Sequence, residues 1–122
     1  MMNKELKLKA EELRLKLIKL IYSSGTGHTG GDLPVLNVLV ALYNRILNVD
    51  PKDPQNPDRD RFILSKGHCA EALYTVLCDK GFIFQKELDD YGKDYSHLGG
   101  HPDNSIPGVE INTGALGHGL SI

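Results

Sequence analysis

The chain has 122 residues, 40% hydrophobic and 25% charged, with 14 basic against 16 acidic side chains and a net charge of −2. These totals fit one small domain or part of a larger one, and they exclude a general electrostatic pull toward nucleic acid or an anionic membrane. The N-terminus shows no signal-peptide core, no apolar stretch approaches a membrane span, and Cys69 and Cys78 show no metal-ligand spacing, which fits a reducing, cytoplasmic setting.

Lys4 to Tyr22 predicts an amphipathic helix, because Leu6, Ala10, Leu13, Leu17 and Leu20 recur at helical spacing. Leu8, Leu15 and Ile18 widen the stripe, so two neighbours are expected on it. A basic amphipathic helix can also lie on a membrane surface, but Glu5, Glu11 and Glu12 dilute the basic face and favour packing within a larger fold or a dimer. Ser23 to Gly31 is a loop with four glycines. It lacks the Gly-Lys-Ser/Thr ending of a nucleotide P-loop and does not match the dinucleotide fingerprint, so flexible and phosphate-cradling readings both stand open. Asp32 offers an N-cap and Pro34 a first-turn residue for a helix over Val35 to Leu47. That helix is apolar nearly all round and needs burial on most sides.

Pro51, Pro54 and Pro57 recur every three residues, a spacing that suits polyproline II; their acidic and amide neighbours favour a rigid crossover over an SH3-type ligand. Phe62-Ile63-Leu64 reads as a strand for a sheet covered on both faces. Cys69 to Lys80 reads as a helix stopped by Gly81, and Gln85 to Tyr91 as a short one. Gly92 to Asn112 is mostly loop, with a short strand expected over Gly108 to Asn112. Thr113 to Gly119 is a second glycine-rich turn leading into a further element, expected to be a helix. The class is α/β, with helix predominating.

Four of the five histidines follow a glycine: His28, His68, His101 and His118. Chance gives about 0.5 such pairs on this composition. Glycine lets the backbone take positive φ or approach a ligand closely, and histidine can donate, accept or shuttle a proton near neutral pH. Ser65-Lys66-Gly67-His68-Cys69-Ala70 also opens a predicted helix, where backbone N–H groups and the helix dipole suit phosphate. The expectation is one polar site assembled from several loops, with two glycine turns facing a diphosphate and His28 and His101 reaching the reacting end. The blander alternative is that each histidine caps a helix or satisfies a buried carbonyl. Zinc ligation is a weaker alternative, with no carboxylate or cysteine at a helpful interval.

Gly27-His28-Thr29-Gly30-Gly31, Asp50-Pro51-Lys52 with Pro57-Asp58-Arg59-Asp60-Arg61, Leu64-Ser65-Lys66-Gly67-His68, Gly100-His101-Pro102, and Pro107-Gly108-Val109-Glu110 through Thr113-Gly114-Ala115-Leu116-Gly117 occur in the order seen in transketolases. The chain resembles the N-terminal, thiamine-diphosphate-binding (PP) domain of that family, and the N-terminal subunits of split transketolases in particular. The resemblance covers essentially everything from the first helix onward. It implies residues 1–122 as an incomplete parallel-sheet domain, interrupted before the magnesium-binding Gly-Asp-Gly motif and the later asparagine.

The resemblance also implies roles. His28 matches a histidine near the reacting carbon that contacts the sugar, and His101 one that binds the donor near its first carbons. His68 matches a contact to the cofactor diphosphate. Gly114, Ala115 and Leu116 match a segment lining the cofactor through backbone and apolar contacts. His97, Cys69 and Glu71 inherit nothing, and His118 stands in place of the more usual glutamine without a role. Thr29 stands where the family generally has proline. The implied activity is transfer of a two-carbon ketol unit between sugar phosphates in carbohydrate metabolism of the pentose phosphate type. It requires thiamine diphosphate, Mg²⁺ held outside these residues, a C-terminal subunit or remainder of the chain, and homo-oligomerisation. Alone, these residues are expected to be inactive. The alternatives are a truncated paralogue serving as a subunit-interaction module, or another thiamine-dependent transferase such as a deoxyxylulose-phosphate synthase.

Overall fold

A computed structural model describes the backbone of residues 2–122 and the side chains from Lys4 onward. Four α-helices carry the regular structure: α1 (Met2–Ser24), α2 (Thr29–Ala41), α3 (Ala70–Lys80) and α4 (Gln85–Asp89). The first three pack on one another around a core in which Leu13, Leu17, Leu36, Leu39, Tyr74 and Leu77 are fully buried. On α1 the predicted Ala10–Leu13–Leu17–Leu20 stripe is the buried one. Leu8 and Leu15, expected to meet a second neighbour, remain more than 60% exposed, because α2 and α3 both settle on the first stripe. The half-buried Lys9 ties the α1 end of this trio to α3, its Nζ lying 3.0 Å from Asp79 Oδ1.

The second helix begins at Thr29 rather than Val35, with His28 as its N-cap. Asp32 is not the cap: it lies inside the first turn and is fully buried, and Pro34 accordingly falls inside the helix. Beyond Ala41 the helix continues as a π-helical turn, Leu42–Ile46, closed by a Leu47 N–H to Leu42 O bond of 2.8 Å. That wider turn carries Tyr43 into the core, edge-on to Phe62 at 6.0 Å between centroids. The third helix is central, with every residue from Ala70 to Leu77 buried. It stops at Gly81, whose φ of 90° is the left-handed cap its residue type allows. α4 ends at Asp89, slightly short of the expected Tyr91.

Among the described residues there is no β-strand, so the two strands expected at Phe62–Leu64 and Gly108–Asn112 are not formed. The first segment is extended and partly buried, but a strand requires a ladder partner and none of the described residues runs alongside it. Helix is thus the only regular structure among the described residues; the parallel sheet is absent from them. Thr113–Ser121 is a succession of turns, not the entry to a helix. The proline-spaced segment is likewise a series of tight turns rather than polyproline II. Asp50, Asp53 and Asn56 accept backbone N–H bonds at three-residue intervals, from Asp53, Asn56 and Arg59, and the Asp50 and Asn56 side chains reinforce two of the turns. No described helix is long and apolar enough to cross a membrane.

The non-helical remainder is pinned to the helices at a few places. Ile106 is 1% exposed. Tyr74 on α3 donates its hydroxyl to Gly99 O at 2.8 Å, holding the loop that precedes His101. Arg59 and Glu110 form a half-buried ion pair at 2.6 Å across the crossover.

Candidate functional site

Two of the glycine–histidine elements, Gly27-His28 and Gly67-His68, meet at the N-terminal ends of α2 and α3. His28 closes the loop after α1, and the N–H groups of Gly31 and Asp32 bond to its carbonyl as α2 starts. His68 lies in the turn that enters α3, closed by Cys69 N–H to Lys66 O at 3.0 Å. The two imidazoles stand edge to face, 5.1 Å between centroids and 73° between planes. His28 is exposed and His68 half-buried.

Close approach of the backbones makes this pairing possible. A Cβ on Gly31 would lie 2.5 Å from Cys69 Sγ and 3.5 Å from His68 Nε2, so only glycine lets α2 sit against the His68 turn. Lys66 locks the approach by donating from Nζ to Gly31 O at 2.9 Å. Gly67 is needed for the same reason on its other side, since a Cβ there would overlap the Thr113 side chain.

Thr113 joins the remaining loops to this centre. Its N–H and hydroxyl both donate to Pro102 O, at 3.0 and 2.8 Å, which fixes the residue next to His101. His101 itself is exposed, and no ring contact joins it to the other two. Gly114, Ala115 and Leu116 follow directly and are exposed, with Gly114 at φ 138° facing open space. The end of that turn returns to the start: Gly119 N–H donates to Ser65 Oγ at 3.1 Å. Between them lies a cavity of about 190 Å³ lined by Ser65, Thr113, Ala115, His118 and Gly119 among others. His97 is elsewhere, paired with Glu87 of α4 at 3.1 Å.

Behind the imidazoles is a buried acidic layer. Asp32 Oδ2 accepts the His28 backbone N–H at 3.2 Å, and its Oδ1 accepts the Ala72 N–H in the first turn of α3 at 3.1 Å. Burial pushes the Asp32 carboxyl up to about 6, against the opposing pull of the Ala72 N–H, with Glu71 adding to the rise. Burial is also the main reason that the Cys69 thiol is pushed up, which keeps it a packing residue rather than a nucleophile.

The family model described as transketolase, thiamine diphosphate binding domain, matches residues 6–122. The chain belongs to the transketolase family. It is 52% identical over 117 residues to one of the subunits of the apulose-4-phosphate transketolase of Phocaeicola vulgatus, covering 96% of this chain and 42% of that protein. It is 48% identical over 120 residues to the protein of the same name from Actinobacillus succinogenes, covering 97% of this chain and 44% of that one. The structure of a transketolase from Leishmania mexicana matches with a TM-score of 0.88 at 29% identity, over 95% of this chain and 18% of that chain. This transketolase-family chain therefore spans less than half the length of the curated relatives it matches.

Three residues that organise the site in this transketolase-family chain do so through partners that the sequence does not announce. Lys66 reads as an ordinary turn lysine, Thr113 as a residue flanking glycines, and Asp32 as a helix cap. Each acts through a partner between 11 and 40 residues away, which no local pattern announces.

Proposed function

We propose that this chain forms part of the thiamine-diphosphate-binding domain of a transketolase that moves a two-carbon ketol unit between sugar phosphates. The observation that carries the reading is the convergence of His28, His68 and the Thr113–Gly119 turn, bridged by Thr113 to the His101 loop. On this reading His28 and His101 are the catalytic and substrate-binding residues, and His68 with Gly114, Ala115 and Leu116 holds the cofactor.

The residues present fit that cofactor. A diphosphate needs donors, and the half-buried imidazole of His68 together with an open glycine turn supplies them. The organic rings need apolar cover, and Leu116 is 63% exposed beside that turn. When bound, thiamine diphosphate would supply the carbanion-stabilising chemistry that ketol transfer needs. The chain's own part is to orient and to move protons. The exposed His28 imidazole can accept a proton from a sugar hydroxyl at a ring nitrogen and return it. His101, carried on a loop fixed at both Gly99 and Pro102, can hold the donor's hydroxyls. Mg²⁺ belongs to the same reading, with its ligands outside these 122 residues.

Both relatives carry names that make them one of several subunits of their enzymes, which supports a partner subunit for this chain, in a homo-oligomeric, cytoplasmic assembly without nucleic-acid or membrane partners. Residues 1–122 then form a partial domain, inactive alone. The test is ketol transfer by the intact protein with its C-terminal partner, thiamine diphosphate, Mg²⁺, a ketose phosphate donor and an aldose phosphate acceptor. Transfer lost in His28→Ala and His101→Ala is expected; an assembly that binds the cofactor and transfers nothing overturns the reading.

A further inference from the structure

Asp32 and Glu71 are both buried, at 0% and 1% exposure, their carboxyls are within hydrogen-bonding reach of each other, and Asp32 holds the backbone of His28. Asp32 reaches Ala72, the residue after Glu71, through a backbone N–H, and Glu71 Oε1 would lie 3.1 Å from a Cβ on Gly27, the residue before His28. Glu71 Oε1 accepts the Tyr91 hydroxyl, while Glu71 Oε2 is buried and meets no donor among the described residues. Two carboxylates in a water-excluded layer repel, and a buried acceptor with no donor is left desolvated without compensation. One proton held between them removes both penalties.

We infer that Asp32 and Glu71 work as a single proton-sharing carboxyl pair that positions His28 against the His68 turn. Asp32 is the tie, because one carboxylate accepts the N–H of His28 and the N–H of Ala72 and so fixes the spacing between the entries of α2 and α3. Glu71 is the support: oriented by Tyr91, it keeps Asp32 in place by sharing the proton. The titratable groups facing the pair are Cys69 and Tyr74 on the α3 side, Tyr91 beyond α4 and, on the α2 side, His28, whose backbone N–H Asp32 accepts. The nearby ammonium of Lys66 is bonded to Gly31 O. Burial first, and the neighbouring Glu71 after it, hold the Asp32 carboxyl up to about 6, so a proton is retained at the pair well above the ordinary carboxylate range. Neither residue touches the reacting end, so both are positioning residues. The inference rests on the proposed role of His28 for its functional meaning, but not for its test.

The test is NMR on the intact protein with carbon-labelled Asp and Glu carboxyls and labelled histidines, titrated from pH 8 to pH 4. In the wild type, the Asp32 carboxyl carbon is expected to titrate near pH 6 and the Glu71 carboxyl carbon to respond in that same step, with a cross-relaxation contact between the His28 and His68 rings. Glu71→Gln puts a permanent N–H donor where the shared proton was; it should abolish the joint step and keep the ring contact. Asp32→Asn cannot accept from two N–H groups at once with its amide; it should weaken the ring contact at every pH. Carboxyls that all titrate below pH 5, or an undiminished ring contact in Asp32→Asn, would overturn the inference. These readouts follow carboxyls and imidazoles rather than turnover, so a failed ketol-transfer assay leaves them unaffected.

Discussion

Substituting Gly31 by alanine tests the close approach on which the site depends. The added methyl would stand 2.5 Å from Cys69 Sγ, at least about 1 Å inside ordinary contact. Cys69 is fully buried and leads into α3, so the sulfur has nowhere to swing. Overpacking of this kind costs about 1–3 kcal/mol, offset by about 0.4–1 kcal/mol from the smaller chain entropy of alanine in the unfolded state. A net loss of about 1–2 kcal/mol follows. Urea unfolding of the intact protein reads it as a midpoint about 0.5–1 M lower at a slope of about 2 kcal/mol/M. Two companions sharpen the result. Gly30, one residue earlier in the same helical turn, has nothing within 4 Å of the position its Cβ would take, so Gly30→Ala should be neutral or slightly stabilising. Cys69→Ala removes the obstructing sulfur, so the double substitution should be more stable than the sum of the two singles by about 1–2 kcal/mol. Gly31→Ala unfolding at the wild-type midpoint, or strictly additive effects, would refute the steric reasoning.

Arg59→Ala strips the partner from Glu110 in a pair whose side chains are each 14% exposed, and about 3 kcal/mol of stability should be lost in the same unfolding assay. Leu13→Ala opens a cavity at a fully buried point where α1 meets its neighbours and should cost about 2–5 kcal/mol. Asp32 gives a pH dependence of fixed sign. Its carboxyl is protonated more readily in the folded state, near 6, than in the unfolded chain, near 3.8. Its contribution is therefore fully present below about pH 4 and is lost as pH rises through 6, by about 3 kcal/mol in all. Stability profiles of the wild type and Asp32→Asn, subtracted from each other between pH 4 and pH 8, should show this slope; a flat difference would contradict it.

What the sequence discloses follows from how local each cause is. The bounds of α3 are legible because Gly81 acts within its own turn, and the buried stripe of α1 because spacing alone places Leu13 and Leu17 on one face. The start of α2 is not legible. Asp32 has the residue type of a cap, yet its carboxylate is taken up by Ala72, forty residues away, and His28 becomes the cap. Phe62–Leu64 has a strand's composition without a strand's neighbour. The prolines at 51, 54 and 57 have a polyproline spacing, but the aspartates and the asparagine between them bend the backbone into turns. At the site, the glycine–histidine dipeptides single out the His28 and His68 loops that meet, while the bonds of Lys66 to Gly31 and of Thr113 to Pro102, which hold the loops in place, are visible only in three dimensions.

The span of the bonds that close the site sets an order of events for the emerging polypeptide. The helical trio is complete by Lys80, and its contacts can form as soon as that residue has been made. The Ser65–Gly119 bond bridges 54 positions and must wait for the turn that carries Gly119. Ring closures of that length are entropically slow steps. During synthesis the helices can therefore pack before the turn that carries Gly119 is available to close on Ser65.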